Sequence, residues 1–407
     1  MQLLKTSTLR GTTHKLSSSK SISNRALILK ALSGTQSTVS NLSDARDTVL
    51  MTNLVNSPDR IIDVMDAGTT MRFLTAYFAI TNQHKVLTGT ARMKERPIGI
   101  LVDALRKVGA TISYIEKEGF PPIEIKGFEK QTAAVLTIPG NVSSQYISAL
   151  MMVAPLLPQG LTLTLTGKTG SVPYIEMTAA LMKQFGVIPE IDLKAQTIRI
   201  ATATYQTSHV VVEADWSAIS YWYGFTALAR QAEITLPNVS SNSLQGDRVI
   251  ATIMEKLGVR STFKDNQLIL TQQAAASTLV WDFKDCPDLA QTVVPVCAVK
   301  GITGEFTGLE SLRIKETDRI AALQNEIAKV GATLTEPETG KWILVPGKIP
   351  TSEITIDTYH DHRMAMGFAP WATLTDLLIN DPSVVNKSYP GFWADVNSVG
   401  IEIVHSN

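Results

Sequence analysis

Hydroxyls, cations and carboxylates cluster in this sequence where small-residue turns open apolar helices. Free backbone N–H groups and the helix dipole favour an anion at such points. In Ser17-Ser18-Ser19-Lys20-Ser21-Ile22-Ser23-Asn24-Arg25, one helical face carries Ile22, Ala26 and Leu29 while Ser21 and Arg25 share another. An anion site built on Lys20, Ser21 and Arg25 competes with a serine-capped helix bearing solvated basic residues. A P-loop is excluded, because no G-x-x-x-x-G-K-[ST] run is present. Asp66-Ala67-Gly68-Thr69-Thr70-Met71-Arg72 is a second such start, in which Gly68 lets a ligand approach the backbone and Thr69 is the expected N-cap. Ser143-Ser144-Gln145 is a third; it offers hydroxyls and an amide to a phosphate and a sugar-like hydroxyl, although capping accounts for the serines equally well.

Arg313-Ile314-Lys315-Glu316-Thr317-Asp318-Arg319 sets a carboxylate among cations. Lys315 and Arg319, four apart, are expected on one helical face with Glu316 in the first turn; a surface salt-bridge run is the alternative. His360-Asp361-His362-Arg363 has no third ligand at a useful local spacing, so no metal site is expected there. His362 and Arg363 at a helix start fit anion and proton chemistry better. Asp288 and Lys387 are solitary and gain meaning only beside the other segments.

These residues must be positioned by elements, and the sequence repeats its elements. ALRKVGATI, LMKQFGVIP, IMEKLGVRS and EIAKVGATL each read as an amphipathic helix ending in a capping glycine and leading into a strand. The glycines, Gly109, Gly186, Gly258 and Gly331, lie 77, 72 and 73 residues apart. That period is too long for a small solenoid and has room for two helices and several strands. RMKERPIGILVDALRKVGAT from Arg92 resembles RIKETDRIAALQNEIAKVGAT from Arg313, so the halves look duplicated. Short β-type runs lie between, namely LTLTLTG, TIRIATA, HVVVEAD, QLILTQ and SEITIDT, and an α/β architecture follows. The domain boundary is expected near 212–217.

Composition narrows the function. A chain of 407 residues exceeds one hydrophobic core. Lys+Arg and Asp+Glu balance at 37 each, which argues against nucleic acid and requires any anion site to gather cations locally. Two cysteines, Cys286 and Cys297, make neither a disulfide framework nor a metal pattern and fit a reducing, cytoplasmic setting. No signal peptide and no stretch of membrane-span length is read, so no membrane partner is expected.

Taken in order, SSSKSISNRAL, DAGTTMRFL, TGTARMKERPIG, VSSQYISALMMVAPL, NSLQGD, RIKETDRI, YHDHRMAM and NKSYPGFW resemble the 5-enolpyruvylshikimate-3-phosphate synthases of the enolpyruvyl transferase family. RIKETDR and DHRMAM separate this group from the UDP-N-acetylglucosamine enolpyruvyl transferases, whose loop cysteine has no counterpart here. The resemblance implies a two-domain α/β fold of repeated βαβαββ units with its active site in the interdomain cleft. It gives an N-terminal lobe over 18–212 and a C-terminal lobe of 1–17 plus 213–407. It also implies transfer of the enolpyruvyl group of phosphoenolpyruvate to the 5-hydroxyl of shikimate 3-phosphate, by a monomer without metal or organic cofactor.

By the same resemblance, Lys20, Gly68, Arg96, Gln145, Arg319, Arg363 and Lys387 would hold phosphoenolpyruvate. Ser21, Arg25, Ser143, Ser144, Gln145, Ser171, Tyr174, Asp288, Ser311 and Lys315 would hold shikimate 3-phosphate. Asp288 would be the base for the 5-hydroxyl, and Glu316 and Lys20 would exchange protons with the methylene carbon, with His362 beside them. Four sites depart in residue type: Ser17-Ser18-Ser19 replaces a usual Pro-Gly-Ser, Asp66 replaces Asn, and Ser311 and His360 stand where Asn is common. Between Met51 and Asp66 only 14 residues intervene. One unit is therefore expected to lack a strand pair or a helix. A transferase acting on another acceptor alcohol, or a non-catalytic ligand-binding relative, are the competing readings.

Overall fold

The computed structural model describes the whole chain except Lys15, Asn141, Val142, Lys168 and residues 405–407. Val142, which opens the VSSQYIS block, thus lies outside the described residues. The chain divides into two compact units, Lys20–Val212 and a second made of Met1–Ser19 with Glu213–Asn407. Ser18 and Ser19 go with the second unit rather than with the helix they precede. Ser18 bridges to Ala214, and the Ser19 N–H donates to the Glu213 carbonyl.

Each complete repeat is a βαβαββ module. Strand Ile61–Asp63 runs parallel to Lys85–Thr88 with helix Gly68–Ile80 between them. Helix Gly99–Val108 then leads into Ala110–Tyr114 and Ile123–Phe128, which close an antiparallel edge. The same order recurs over 135–200, with strand Leu161–Thr166 in the second position. In that strand Leu161, Leu163 and Leu165 are buried and the threonines between them face outward, the period-two pattern of a half-buried strand. In the other unit three such modules occur, over 278–345, over 354–404 closed by the N-terminal strand Gln2–Leu3, and over 216–272 opened by Thr8–Thr12.

The remaining module is short. Among the described residues it has a two-stranded parallel sheet, Thr38–Ser40 with His209–Val211, and two helices, Lys20–Ser33 and Arg46–Leu54. The next module begins at Ile61, so the residues missing between Met51 and Asp66 are the terminal strand pair, and both helices remain.

The repeat glycines end their helices with positive φ: 123° at Gly109, 82° at Gly186, 92° at Gly258 and 73° at Gly331. A side chain is strained in that region, which explains why glycine marks each repeat. Each unit has its own apolar core. Helices Gly68–Ile80 and Trp216–Leu228 are buried almost throughout rather than along one stripe, because sheets and helices surround them. The functional consequence lies in the connections. Each parallel strand hands the chain to a helix start, and those starts carry the motifs. No helix among the described residues is long and apolar enough to cross a membrane.

Candidate active site

In the unit Lys20–Val212 the first helix contradicts the picture of solvated basic residues. Residues 22 to 29 are all buried, and Arg25 is only 2% exposed. The Arg25 Nε donates to Thr178 Oγ1 at 2.7 Å, Nη1 to the Ser21 carbonyl at 3.0 Å and Nη2 to Ser148 Oγ at 3.0 Å. Its guanidinium also faces the rings of Phe73 and Tyr174 at 5.2 and 5.7 Å. Burial lowers its pKa to about 10, which still leaves it charged at neutral pH. Three of its five N–H groups are thereby assigned. Lys20, at the helix start, pairs with the buried Asp47 at 3.0 Å.

The second helix start is held differently from the expectation. Its N-cap position is Ala67 and no side chain caps it, so Thr69 is not the cap but lies within the first turn. There Thr69 Oγ1 accepts from the Gln145 Nε2 at 3.0 Å, which ties the second and third motifs together. A Cβ built on Gly68 would sit 2.7 Å from the Arg96 guanidinium. The glycine thus admits Arg96 to the helix N-terminus. Arg96 Nη1 donates to the Asp66 carbonyl at 3.3 Å, and buried Arg72 braces the turn from behind through the Gly68 and Pro97 carbonyls. The Asp66 carboxylate is met by Arg46 at 2.8 Å, which supplies the neutralising cation its position requires. Ser143 caps helix Ser144–Val153 by accepting from the Gln145 N–H, and Ser144 is buried in its first turn. Ser171 precedes helix Val172–Gln184 in the left-handed region, with φ 54°, and Tyr174 follows in the first turn.

In the other unit the solitary acid and the scattered cations meet. Arg319 is 2% exposed; it donates to Asp361 at 2.6 Å, to Asp288 at 2.9 Å and to Glu316 at 2.9 Å. The helix here begins at Arg319, capped by Asp318, so Lys315 and Glu316 lie before it. The expected shared helical face of Lys315 and Arg319 is therefore corrected: the two converge on Asp288, Lys315 from 3.5 Å. Arg363 reaches the other Asp288 oxygen at 3.0 Å, and Lys387, buried at the end of turn Pro382–Lys387, lies 3.4 Å from Glu316. Asp361 caps the helix His362–Phe368 and lies 3.5 Å from the His362 Nδ1. Ser311 lies exposed on the turn Glu310–Ile314, which packs against the turn Pro287–Leu289 that carries Asp288.

The electrostatics follow from the geometry. Burial alone would raise the Asp288 carboxyl, but Arg363, Lys315 and Arg319 outweigh it and hold it well below the carboxylate range. Burial would likewise lower Arg319, yet Asp361, Glu316 and Asp288 raise it. Nearby Asp247 moves the other way: burial pushes its carboxyl up to about 6 against the pull of Arg363. Among the described residues no group of three or more His, Cys, Asp or Glu is arranged to hold a metal ion.

The sequence reading missed Asp47, Asp361, Arg46 and Asp247. Asp361 and Asp247 lay inside quoted motifs, YHDHR and NSLQGD, and a buried acid beside a basic motif was the available signal. Asp47 and Arg46 carried none, since their partners are remote in sequence.

The family model for EPSP synthase (3-phosphoshikimate 1-carboxyvinyltransferase) matches residues 4–57 and 52–396. A Bacteroides fragilis protein named 3-phosphoshikimate 1-carboxyvinyltransferase is 46% identical over 395 residues, 96% of each chain. One of that name from Cronobacter sakazakii is 36% identical over 412 residues, covering 94% of this chain and 95% of its own. The EPSP synthase structure from Acinetobacter baumannii superposes with a TM-score of 0.78 at 18% identity, covering 99% of both chains, and so speaks to the fold.

Proposed function

The chain belongs to the EPSP synthase family, and on that premise we propose how its own residues divide the work of the reaction. It is a 3-phosphoshikimate 1-carboxyvinyltransferase of the shikimate pathway, moving the enolpyruvyl group of phosphoenolpyruvate to the 5-hydroxyl of shikimate 3-phosphate with release of phosphate. The observation that carries the division of labour is Asp288 held between Arg319, Arg363 and Lys315.

Phosphoenolpyruvate is assigned to Lys20, the Gly68 turn, Arg96 and Gln145 in one unit and to Arg319, Arg363 and Lys387 in the other. Guanidinium groups suit its planar carboxylate and its phosphate by paired hydrogen bonds. Shikimate 3-phosphate is assigned to Ser21, Arg25, Ser143, Ser144, Gln145, Ser171 and Tyr174, with Asp288, Ser311 and Lys315. As a free carboxylate strongly stabilised by three cations, Asp288 is a weak base. Anionic substrates that engage those cations remove that stabilisation and raise its basicity when the 5-hydroxyl arrives.

Asp288 then takes the hydroxyl proton as the oxygen bonds to C2 of phosphoenolpyruvate, and the methylene carbon takes a proton from Glu316 or Lys20. The resulting tetrahedral adduct carries a methyl group. The group that gave up its proton, Glu316 or Lys20, then takes one back from the methyl, and the C–H electrons re-form the double bond as the C–O bond to phosphate breaks and phosphate leaves. The cations stabilise the charge that leaves. His362, whose Nδ1 lies 3.5 Å from Asp361, supports the proton exchange from within the cluster.

Two features that favoured a non-catalytic reading no longer do so: Arg46 neutralises Asp66, and the shortened module keeps its helix starts. The reading also holds the protein to be a cytoplasmic monomer whose partners are its two substrates; its buried free cysteines fit a reducing compartment. Phosphate release that requires both substrates tests the function; release with another acceptor alcohol in place of shikimate 3-phosphate would redirect it. Gly68→Ala tests the Arg96 assignment. The added methyl must displace the guanidinium, so the KM for phosphoenolpyruvate is expected to rise about tenfold or more, with a smaller change in kcat.

A further inference from the structure

Behind Arg363 lies a buried polar chain with no role in the reaction as described. Arg363 Nη2 donates to Ser217 Oγ at 3.3 Å while also reaching Asp288 at 3.0 Å, and Nη1 donates to Tyr221 Oη at 3.3 Å. The Ser217 hydroxyl in turn donates to Asp247 Oδ2 in a short hydrogen bond. Ser217 lies in the first turn of helix Trp216–Leu228, and Asp247 lies in the turn Gly246–Val249. Asp247 is 4% exposed, and its Oδ1 is buried without a hydrogen-bond partner among the described residues. A carboxylate left half-satisfied in a protein interior is costly, so its retention beside a guanidinium calls for a reason.

Direction supplies that reason. A serine hydroxyl has one proton to give. When Asp247 is ionised it accepts the serine's hydrogen bond, and the serine lone pairs are turned toward Arg363. The guanidinium is then fixed from two sides, by Tyr221 and by Ser217, with Asp288 in front.

We propose that Asp247 and Ser217 are a positioning pair that aims the Arg363 guanidinium at the anionic group of phosphoenolpyruvate. The inference rests on the reading of Arg363 as a ligand of that substrate. Asp247 acts through Ser217 and touches neither substrate. The charged and titratable groups facing Asp247 are Arg363 from the helix His362–Phe368, Asp288 and Cys286 at the turn Pro287–Leu289, and Asp215 from the cap of its partner helix. With its carboxyl raised to about 6, protonation as pH falls through that region releases the Ser217 proton and loosens Arg363.

The test is steady-state kinetics of the full-length protein and of Asp247→Asn, Ser217→Ala and the double variant, between about pH 5 and pH 9. Asp247→Asn should raise the KM for phosphoenolpyruvate at neutral pH about tenfold, the size of one lost charge-assisted hydrogen bond, and leave the KM for shikimate 3-phosphate within about twofold. The acid-side fall of kcat/KM for phosphoenolpyruvate near pH 6 should flatten in the variant. Ser217→Ala, which keeps the acid, should do the same, and the double variant should be no worse than either single. Equal losses for both substrates, additive losses, or an unchanged pH profile overturn the pair. Arg363→Lys separates the two readings. If it leaves the KM for phosphoenolpyruvate unchanged, the ligand assignment itself fails; if it raises that KM while Asp247→Asn and Ser217→Ala do not, only the positioning pair fails.

Discussion

Asp288→Ala is expected to lower kcat by roughly 10²–10⁴-fold, the usual worth of a general base, while changing the KM of shikimate 3-phosphate far less. The acid sits on the turn Pro287–Leu289, at the start of helix Ala290–Lys300, with Arg319, Lys315 and Arg363 all within 3.5 Å. Removing it frees those cations for substrate anions, so binding should persist or tighten while the hydroxyl loses its proton acceptor. Asp288→Asn keeps the shape and should lose a similar rate. Because the folded protein holds this carboxyl below its ordinary range, Asp288 contributes stability above the unfolded-state carboxylate pKa, lost only as pH falls through its lower folded value. The free enzyme therefore keeps it ionised throughout the neutral range, and an acid limb near pH 6 belongs to another group. A variant of near-normal rate would refute the assignment.

Arg319→Met is expected to abolish measurable turnover and to destabilise the fold by about 3–5 kcal/mol, the cost of stranding buried charges. Three carboxylates, on Asp361, Asp288 and Glu316, share this guanidinium, and Asp361 is fully buried. Methionine fills the space and satisfies none of them. Urea unfolding gives the magnitude, and its pH dependence gives the cause. Asp288 keeps Arg363 and Lys315 and Glu316 keeps Lys387, but burial disfavours the charged form of a carboxylate left without a counter-charge, so the variant should regain stability relative to the parent as pH falls toward about 5. A deficit independent of pH would point to lost packing instead.

Much of this arrangement was legible in the sequence because the repeat is written in backbone chemistry. Glycine is needed where a helix ends with positive φ, so Gly109, Gly186, Gly258 and Gly331 mark the modules wherever side chains diverge. Motifs stand at helix starts because each parallel strand delivers the chain there. The missing residues before Asp66 were visible as a shortfall; that the loss fell on the strand pair was not, because helices and hairpins of similar length cost the same number of residues.

What the sequence hid was partnership. Arg319 meets Asp361 across 42 positions, and Ser217 meets Asp247 across 30. Spacing within one helix says nothing of such contacts, and at Lys315 it misled. A four-residue interval implied one helical face, but Asp318 caps the helix at Arg319 and leaves Lys315 outside it. The alternative of a solvated Arg25 fails for a related reason: its hydroxyl partners, Thr178 and Ser148, are brought in by another module.

The most direct test follows the phosphorus NMR spectrum of phosphoenolpyruvate incubated with the purified protein, with and without shikimate 3-phosphate. The phosphoenolpyruvate signal should give way to inorganic phosphate only when shikimate 3-phosphate is present, with a new enolpyruvyl ether of that acceptor formed in equal amount. Phosphoenolpyruvate that stays intact beside both substrates, or is hydrolysed equally without the acceptor, would contradict the account.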